Sequence, residues 1–242
     1  MTPSAEPKFL AIETATDVCS IAIFEGEELL GLQEYRTGRL HNRLLSVATE
    51  QLLANLELKV SDLSAIGVSA GPGSYTGLRV GAAYAKGLCF ASDLPLVAVP
   101  SLEVISGGAL FLLSDKNAQI VSLLDARRME VYVAVYDSDL QETMPATALI
   151  IDFDTLNQIT DKEFPVVCVG DGAEKCRELW AEHDFARLYT HVLSSAAHMG
   201  KSIGRRFEQQ EFVSVDAFAP LYLKPVVTRK GRNPLENMRT KA

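Results

Sequence analysis

The stretch from Ala65 to Ala91 leaves a chain like this little freedom of fold. Ala65-Ile66-Gly67-Val68-Ser69-Ala70 is an apolar run of strand length, Gly71-Pro72-Gly73-Ser74 breaks it, and a helical pattern runs on to about Ala91. A buried strand turning through glycines into a helix is a building unit of α/β sheets covered by helices. The preceding residues agree. Phe9–Ile12, Cys19–Phe24 and Leu29–Tyr35 read as three strands joined by tight turns, an antiparallel meander. In His41–Leu56, Leu44, Leu45, Val47, Ala48, Leu52, Leu53 and Leu56 recur mostly at three- and four-residue spacings, which makes an amphipathic helix. Leu96–Val99 is a further strand. Ser101 is expected to cap a helix running through Leu113, as a simple serine cap, because Val104 stands where a capping box needs Glu or Gln.

A second block begins near Asn117. Ile120–Leu124 and Glu130–Tyr136 read as strands, the latter rich in β-branched and aromatic residues, with Asp125-Ala126-Arg127-Arg128-Met129 between them. Asp154–Ile159 reads as a short helix and Val166–Val169 as a strand closing on the Gly170-Asp171-Gly172 turn. Helices are expected from Ala173 to about Glu182 and, capped by Ser194 or Ser195, to about Phe207. The expected fold class is therefore α/β in two lobes, residues 8–110 and 111–224, with a return of the chain to the first lobe allowed near the C-terminus. Residues 225–242 are expected to form a basic, flexible tail. The total of 242 residues suits that division.

Charge is unevenly distributed. The net charge is −8, yet from Lys224 onward six basic residues face only Glu236, so that segment carries +5 and the first 223 residues carry −13. A body of that sign is a poor nucleic-acid binder by itself, since phosphate contact needs a positive surface; the tail is either a solvated terminus or a local exception. No apolar run approaches the roughly 18–20 residues that span a bilayer. Met1–Pro7 lacks the basic and apolar regions of a secretory signal, so a cytoplasmic location and no membrane association are expected. Cys19, Cys89, Cys168 and Cys176 are dispersed, without zinc or redox spacing, and read as small buried hydrophobes.

The glycine turn admits several chemistries. A Walker A loop needs lysine after its last glycine, but Leu78 follows Gly77; a dinucleotide fingerprint needs a tighter spacing than Gly71, Gly73 and Gly77 provide. Two readings stay open: an anion contact at Gly71, Gly73, Ser74 and Thr76, or a turn built for close packing. Gly77, Gly81 and Ala85 recur every four residues, flanked by Tyr84 and Leu88, and let another helix approach, within this chain or from a second one. Gly67-Val68-Ser69-Ala70-Gly71 matches the nucleophile-elbow pattern, but Pro72 prolongs the turn and no histidine completes a triad. His41, His183, His191 and His198 form no metal-binding pattern. Asp125, Arg127 and Glu130 ring a hairpin at the lobe junction, either as turn chemistry or as a contact with substrate or partner. No catalytic constellation and no metal site emerge.

One resemblance is sharper than any of these signals. Gly71-Pro72-Gly73-Ser74-Tyr75-Thr76-Gly77-Leu78-Arg79-Val80-Gly81, continuing to Ala85-Lys86-Gly87-Leu88, resembles the signature of the bacterial TsaB (YeaZ) family. In the same order stand Leu10–Thr16, His41–Leu45, Val99–Leu102, Leu124–Tyr132 and Pro220–Lys224, so the resemblance covers residues 8 to about 224. It implies a two-lobed actin/Hsp70-like (ribonuclease H-like) fold in a non-catalytic paralogue of TsaD, filed with peptidase family M22 without being a peptidase. It further implies support for forming N6-threonylcarbamoyladenosine at position 37 of tRNAs that read codons beginning with A. The implied partners are the TsaD catalytic subunit, the TsaE ATPase subunit, tRNA through the complex, and a second copy of the chain when isolated.

Departures from the family pattern sharpen the expectation. The first turn reads Glu13-Thr14-Ala15-Thr16 where the family usually has Asp-Thr-Ser-Thr, and relatives that bind nucleotide place an aspartate and a glycine there. The resemblance thus implies no cofactor on this chain itself, with ATP or ADP a candidate only for the full complex, and Thr14 a candidate contact. Only His41 stands where TsaD carries a metal-binding pair, and Lys224 replaces a usual arginine, losing its fork. The implied partner face comprises His41, Leu44, Leu45, Ala48 and Leu52 on the first helix and Gly77, Gly81, Tyr84, Ala85 and Leu88 on the second, with Asp125, Arg127 and Glu130 between the lobes. A nucleotide-dependent phosphotransferase of the same fold is the alternative function, and a peptidase a more remote one.

Overall fold

The computed structural model describes residues 6–36, 40–113 and 115–224; the expected tail, 225–242, lies outside them. The first sheet opens with the meander β1 (Lys8–Glu13), β2 (Cys19–Glu25) and β3 (Glu28–Tyr35). After helix α1 (His41–Asn55) come β4 (Ala65–Ser69), α2 (Tyr75–Ser92) and β5 (Leu96–Val99), and the strand order is β3-β2-β1-β4-β5. β1 pairs antiparallel with β2 and parallel with β4. Both faces of this sheet are covered, which is why its strands read as nearly continuous apolar runs. Leu10, Ile12, Ile21, Ile23, Ile66 and Val68 meet Leu45, Leu52, Ala85 and Cys89 of α1 and α2 on one face. On the other, Phe9, Ala11, Ala22, Phe24 and Val97 meet Val104, Met199 and Ile203.

Helix α3 (Ser101–Gly107) joins the lobes. Its Val104 packs on the first sheet, while Leu102 and Ile105 pack with Ile120, Leu124 and Tyr136 of the second. The second sheet comprises β6 (Gln119–Asp125), β7 (Glu130–Tyr136), β8 (Glu142–Ile150), β9 (Val166–Val169) and β10 (Ala186–Tyr189), in the order β8-β7-β6-β9-β10. The strand order and directions of the first sheet are thereby repeated, a meander followed by two parallel strands. This duplicated 3-2-1-4-5 arrangement is the actin/Hsp70-like two-lobed architecture.

Several local expectations need correction. β8 was not expected; it is a half-exposed edge strand interrupted by Pro145, with little periodic signal. β10 is a four-residue edge strand, also unanticipated. The helix expected to Glu182 ends at Cys176 as α5 (Ala173–Cys176), beyond α4 (Thr155–Ile159), and turns carry the chain to the buried Trp180. The helix expected to reach Leu113 ends at Gly107, and Ser101 does not cap it: its Oγ accepts from Gly71 N at 3.0 Å instead. Ser195 does cap, accepting from Ala197 N over a 3₁₀ turn ahead of α6 (Gly200–Glu208).

The chain returns to the first lobe well before residue 224. Met199 and Ile203 sit in the first lobe's core, Val213 bridges to Leu96, Leu221 N donates to Ala70 O, and Lys86 Nζ donates to Asp216 O and Phe218 O. Residues 194–224 therefore pack chiefly on the first sheet, against the expected division at 110/111. A buried carboxylate secures the return: Glu103 of α3 takes both nitrogens of Arg206 at 2.7 Å and one of Arg205 at 3.0 Å. Arg205 also donates to Leu140 O, in the second lobe.

Candidate functional site

The signature residues converge where β1 and β4 end and α2 begins. Glu13 closes β1 and is fully buried, because the start of α2 roofs the turn that follows it. Ala15 N donates to Glu13 Oε1 at 2.5 Å, Thr14 N donates to Ser69 Oγ at 3.3 Å, and the Ser69 and Ser194 hydroxyls lie beside the carboxyl. Burial pushes the Glu13 carboxyl up to about 7, against these hydrogen bonds, which favour the ionised form. Glu13 Oε2 and Thr14 Oγ1 have no partner among the described residues.

The glycine turn is locked by the chain's own groups. The chain passes through a cis Gly71–Pro72 peptide, and Gly71 sits at φ +96°, a region that favours glycine. Its N–H is taken by Ser101, Ser74 N donates to Ala15 O at 2.6 Å, and Gly77 N donates to the capping Ser74 Oγ at 3.3 Å. Of the turn donors proposed for an anion, those of Gly71 and Ser74 are committed internally. Of that set, Thr14 and Gly71 are buried, Gly73 is packed on Ala15, and only Ser74 and Thr76 are exposed.

The small-residue face of α2 is spent inside the molecule too. A Cβ on Gly77 would stand 2.1 Å from Thr14 O, and one on Gly81 2.2 Å from Thr14 Oγ1. Ala85 is fully buried, as are Leu45, Ala48 and Leu52 to within a few per cent. His41 is buried as well, its Nε2 shared between Thr16 O and Val18 O, which ties α1 to the first turn. Seven of the ten residues expected on a partner face thus hold the monomer together. The exposed parts of the two helices are different: Val47 at 49% and Phe90 at 82%, with half-buried Leu44, Tyr84 and Leu88. Between α1 and α2 lies a groove of about 350 Å³ lined by Thr49, Leu53, Leu58, Tyr84 and Leu88. Sequence periodicity did not separate the inward from the outward sides of these two helices, because both sides are largely apolar or small.

At the lobe junction the three charged residues separate. Asp125 is held within the second lobe, its Oδ1 2.6 Å from Lys175 Nζ and its N–H donating to Asp171 Oδ1. Burial opposes its ionisation, yet the Lys175 ammonium and the Arg127 amide keep its carboxyl below the ordinary value. Glu130 makes the interlobe contact, pairing with Lys224, whose Nζ also donates to Ala126 O. Arg127 is exposed. The four cysteines are free and buried, and burial pushes Cys19 and Cys89 to about 11. Among the described residues no His/Cys/Asp/Glu group is arranged to hold a metal ion, and no helix is long and apolar enough to cross a membrane.

The profile of the TsaD family, described as tRNA N6-adenosine threonylcarbamoyltransferase, matches residues 34–215. The tRNA threonylcarbamoyladenosine biosynthesis protein TsaB of Bacillus subtilis is 32% identical over 222 residues, covering 89% of this chain and 93% of its own. TsaB of Haemophilus influenzae is 36% identical over 123 residues, and that match spans about half, 51%, of each chain. Among solved structures, YeaZ from Pseudomonas aeruginosa superposes with a TM-score of 0.77 at 24% identity, over 90% of this chain and all of that one, which shows the same fold.

Proposed function

The chain belongs to the TsaD family and, within it, to the bacterial TsaB/YeaZ branch, whose members are non-catalytic partners of TsaD in forming N6-threonylcarbamoyladenosine in tRNA; from that membership we propose that it docks on its host's TsaD through the outward side of α1 and α2. The observation that carries the docking face is the pair of exposed apolar side chains, Val47 and Phe90, on two helices otherwise packed into the first lobe, with an open groove between those helices. Exposed apolar side chains on adjoining helices, with a groove rimmed by Glu50 and Lys59, suit a protein partner. The same face would serve a second copy of the chain when TsaD is absent. TsaE and tRNA join through the assembled complex.

No nucleotide chemistry is assigned to this chain itself. Where nucleotide-binding relatives of the fold need an open turn, Glu13 is buried and the α2 start rests on Thr14. ATP or ADP would then enter with the other subunits. The test is reconstitution of tRNA modification with the host's TsaD and TsaE, with and without this chain. Modification should depend on the chain, which alone should transfer nothing. Val47→Glu and Phe90→Glu should lower TsaD affinity at least about tenfold, the equivalent of about 1.4 kcal/mol. Thermal melts should be unmoved, surface changes usually costing under about 0.5 kcal/mol. Turnover of nucleotide by the isolated chain would favour the phosphotransferase alternative instead.

A further inference from the structure

The first 223 residues carry −13, yet one strip of the described surface presents several cations outside any ion pair. A groove of about 530 Å³ runs between α2 and the returning segment, lined by Tyr75, Arg79, Lys86, Phe218, Pro220 and Tyr222, with no acidic side chain in its wall. The Tyr75 and Tyr222 rings stand 4.9 Å apart and are each more than a third exposed. Arg79 reaches over the Tyr75 ring at 5.4 Å and donates to its hydroxyl at 3.0 Å. Two residues beyond Tyr222, Lys224 is bound to Ala126 O, directly before Arg127 and Arg128. Those two arginines are exposed at a hairpin tip with φ +72° and +53°. None of the ion pairs among the described residues uses Arg79, Arg127 or Arg128. From Lys224 the chain continues into the segment carrying Arg229, Lys230, Arg232, Arg239 and Lys241.

We infer that this strip, from Tyr75 and Tyr222 across Arg79 to Arg127 and Arg128, is a contact surface for unpaired RNA. The inference rests on the family reading above, which puts tRNA in the assembly. Phosphates match uncompensated arginines set at intervals along a path, and unstacked bases match two partly exposed tyrosine rings flanked by a guanidinium. The path also crosses from lobe to lobe through Lys224, so a long polyanion can follow it where a compact ligand would fill only the groove.

The probe is an unmodified, fluorescently labelled tRNA transcript with adenine at position 37, titrated with the chain complexed to its host's TsaD over a range of salt. Two double variants are compared with wild type: Arg79→Glu with Tyr222→Ala, and Arg127→Glu with Arg128→Glu. Arg187→Glu, an exposed charge reversal on β10, is the control. Each double variant should weaken tRNA binding at least about tenfold at low salt and flatten the salt slope by about 0.7 for each phosphate no longer neutralised, while the control stays at wild type. Arg127→Lys with Arg128→Lys keeps the charge and should bind within about twofold of wild type, which guards against misfolding as the cause. Unchanged affinity and slope, with TsaD pairing intact, would overturn the inference. Loss of TsaD pairing in its place would mark the strip as a protein-binding face and overturn it equally. The family reading fails separately, if the wild-type complex modifies the transcript no faster than TsaD alone.

Discussion

β1 and β6 open the two equivalent sheets, and each ends on a carboxylate with opposite fates. Glu13 is fully buried and its carboxyl is raised to about 7; Asp125 is exposed, paired with Lys175, and its carboxyl is lowered. Even the cross-strand bonds correspond. Thr14 N donates to Ser69 at the end of β4, and Asp125 N donates to Asp171 just past the end of β9. What differs is the roof. The 18-residue α2 starts directly over Thr14, whereas its counterpart α5 has four residues and leaves the Asp125 hairpin open. One topology thus gives a closed turn in the lobe that carries the long helices and an open, charged hairpin in the other. A turn in this fold that is open to ligand needs room above it, and in the first lobe glycine-mediated helix packing removes that room.

The largest expected effect tests whether the two lobes unfold as a unit. Glu103→Ala leaves Arg205 and Arg206 without their carboxylate beneath the lobe-bridging helices and should cost about 3–5 kcal/mol, read as a large fall in the thermal midpoint. A single cooperative transition should persist, because Arg205 also bonds the second lobe. Two separated transitions would instead make the lobes independent.

The contrast between the two carboxylates is next, and its signs are opposite. A folded-state value raised above the unfolded one means stability that is full below about 4.5 and lost as pH rises through about 7. Glu13→Gln should flatten a pH-dependent loss on the order of 3 kcal/mol between those limits, with the Cys19 thiol the facing titratable group. Asp125 contributes stability above its unfolded value and loses it as pH falls through the depressed one. Asp125→Asn should therefore cost a little at neutral pH and nothing in acid, the pair being half exposed and screened. Denaturant titrations from about pH 2 to 8 span both windows and separate the two; parallel profiles for both variants would break the comparison.

A smaller effect is expected from Gly81→Leu. Its side chain would enter the space held by Thr14, and overpacking of this kind costs about 1–3 kcal/mol. TsaD affinity of the folded fraction should be unchanged, so calorimetric binding beside a melt places that glycine inside the lobe or on a partner face. The smallest effect belongs to Lys224→Ala. Its pair with Glu130 is partly exposed, worth about 0–1 kcal/mol, and its loss should move the melt barely at all.

Much of this was open to reading in the residues. The meander, the two long helices and the buried cysteines follow from side-chain period and apolarity, which are local properties of the chain. The edge strands β8 and β10 were not readable, because half-exposed strands and a proline blur the period that marks a buried one. The destination of Gly77, Gly81 and Ala85 was not readable either. Spacing shows that something must approach that face closely, but the first turn of the same chain and a helix of another subunit leave the same pattern. Nothing local marked Glu103, because its partners Arg205 and Arg206 reach it only when α6 folds back. By itself the sequence determined the order of strands and helices in the first lobe and the family signature, since both are written in short-range pattern. Which apolar face is covered, which carboxylate is buried and where the chain's end returns were decided only by tertiary packing, because burial is set by neighbours distant along the chain.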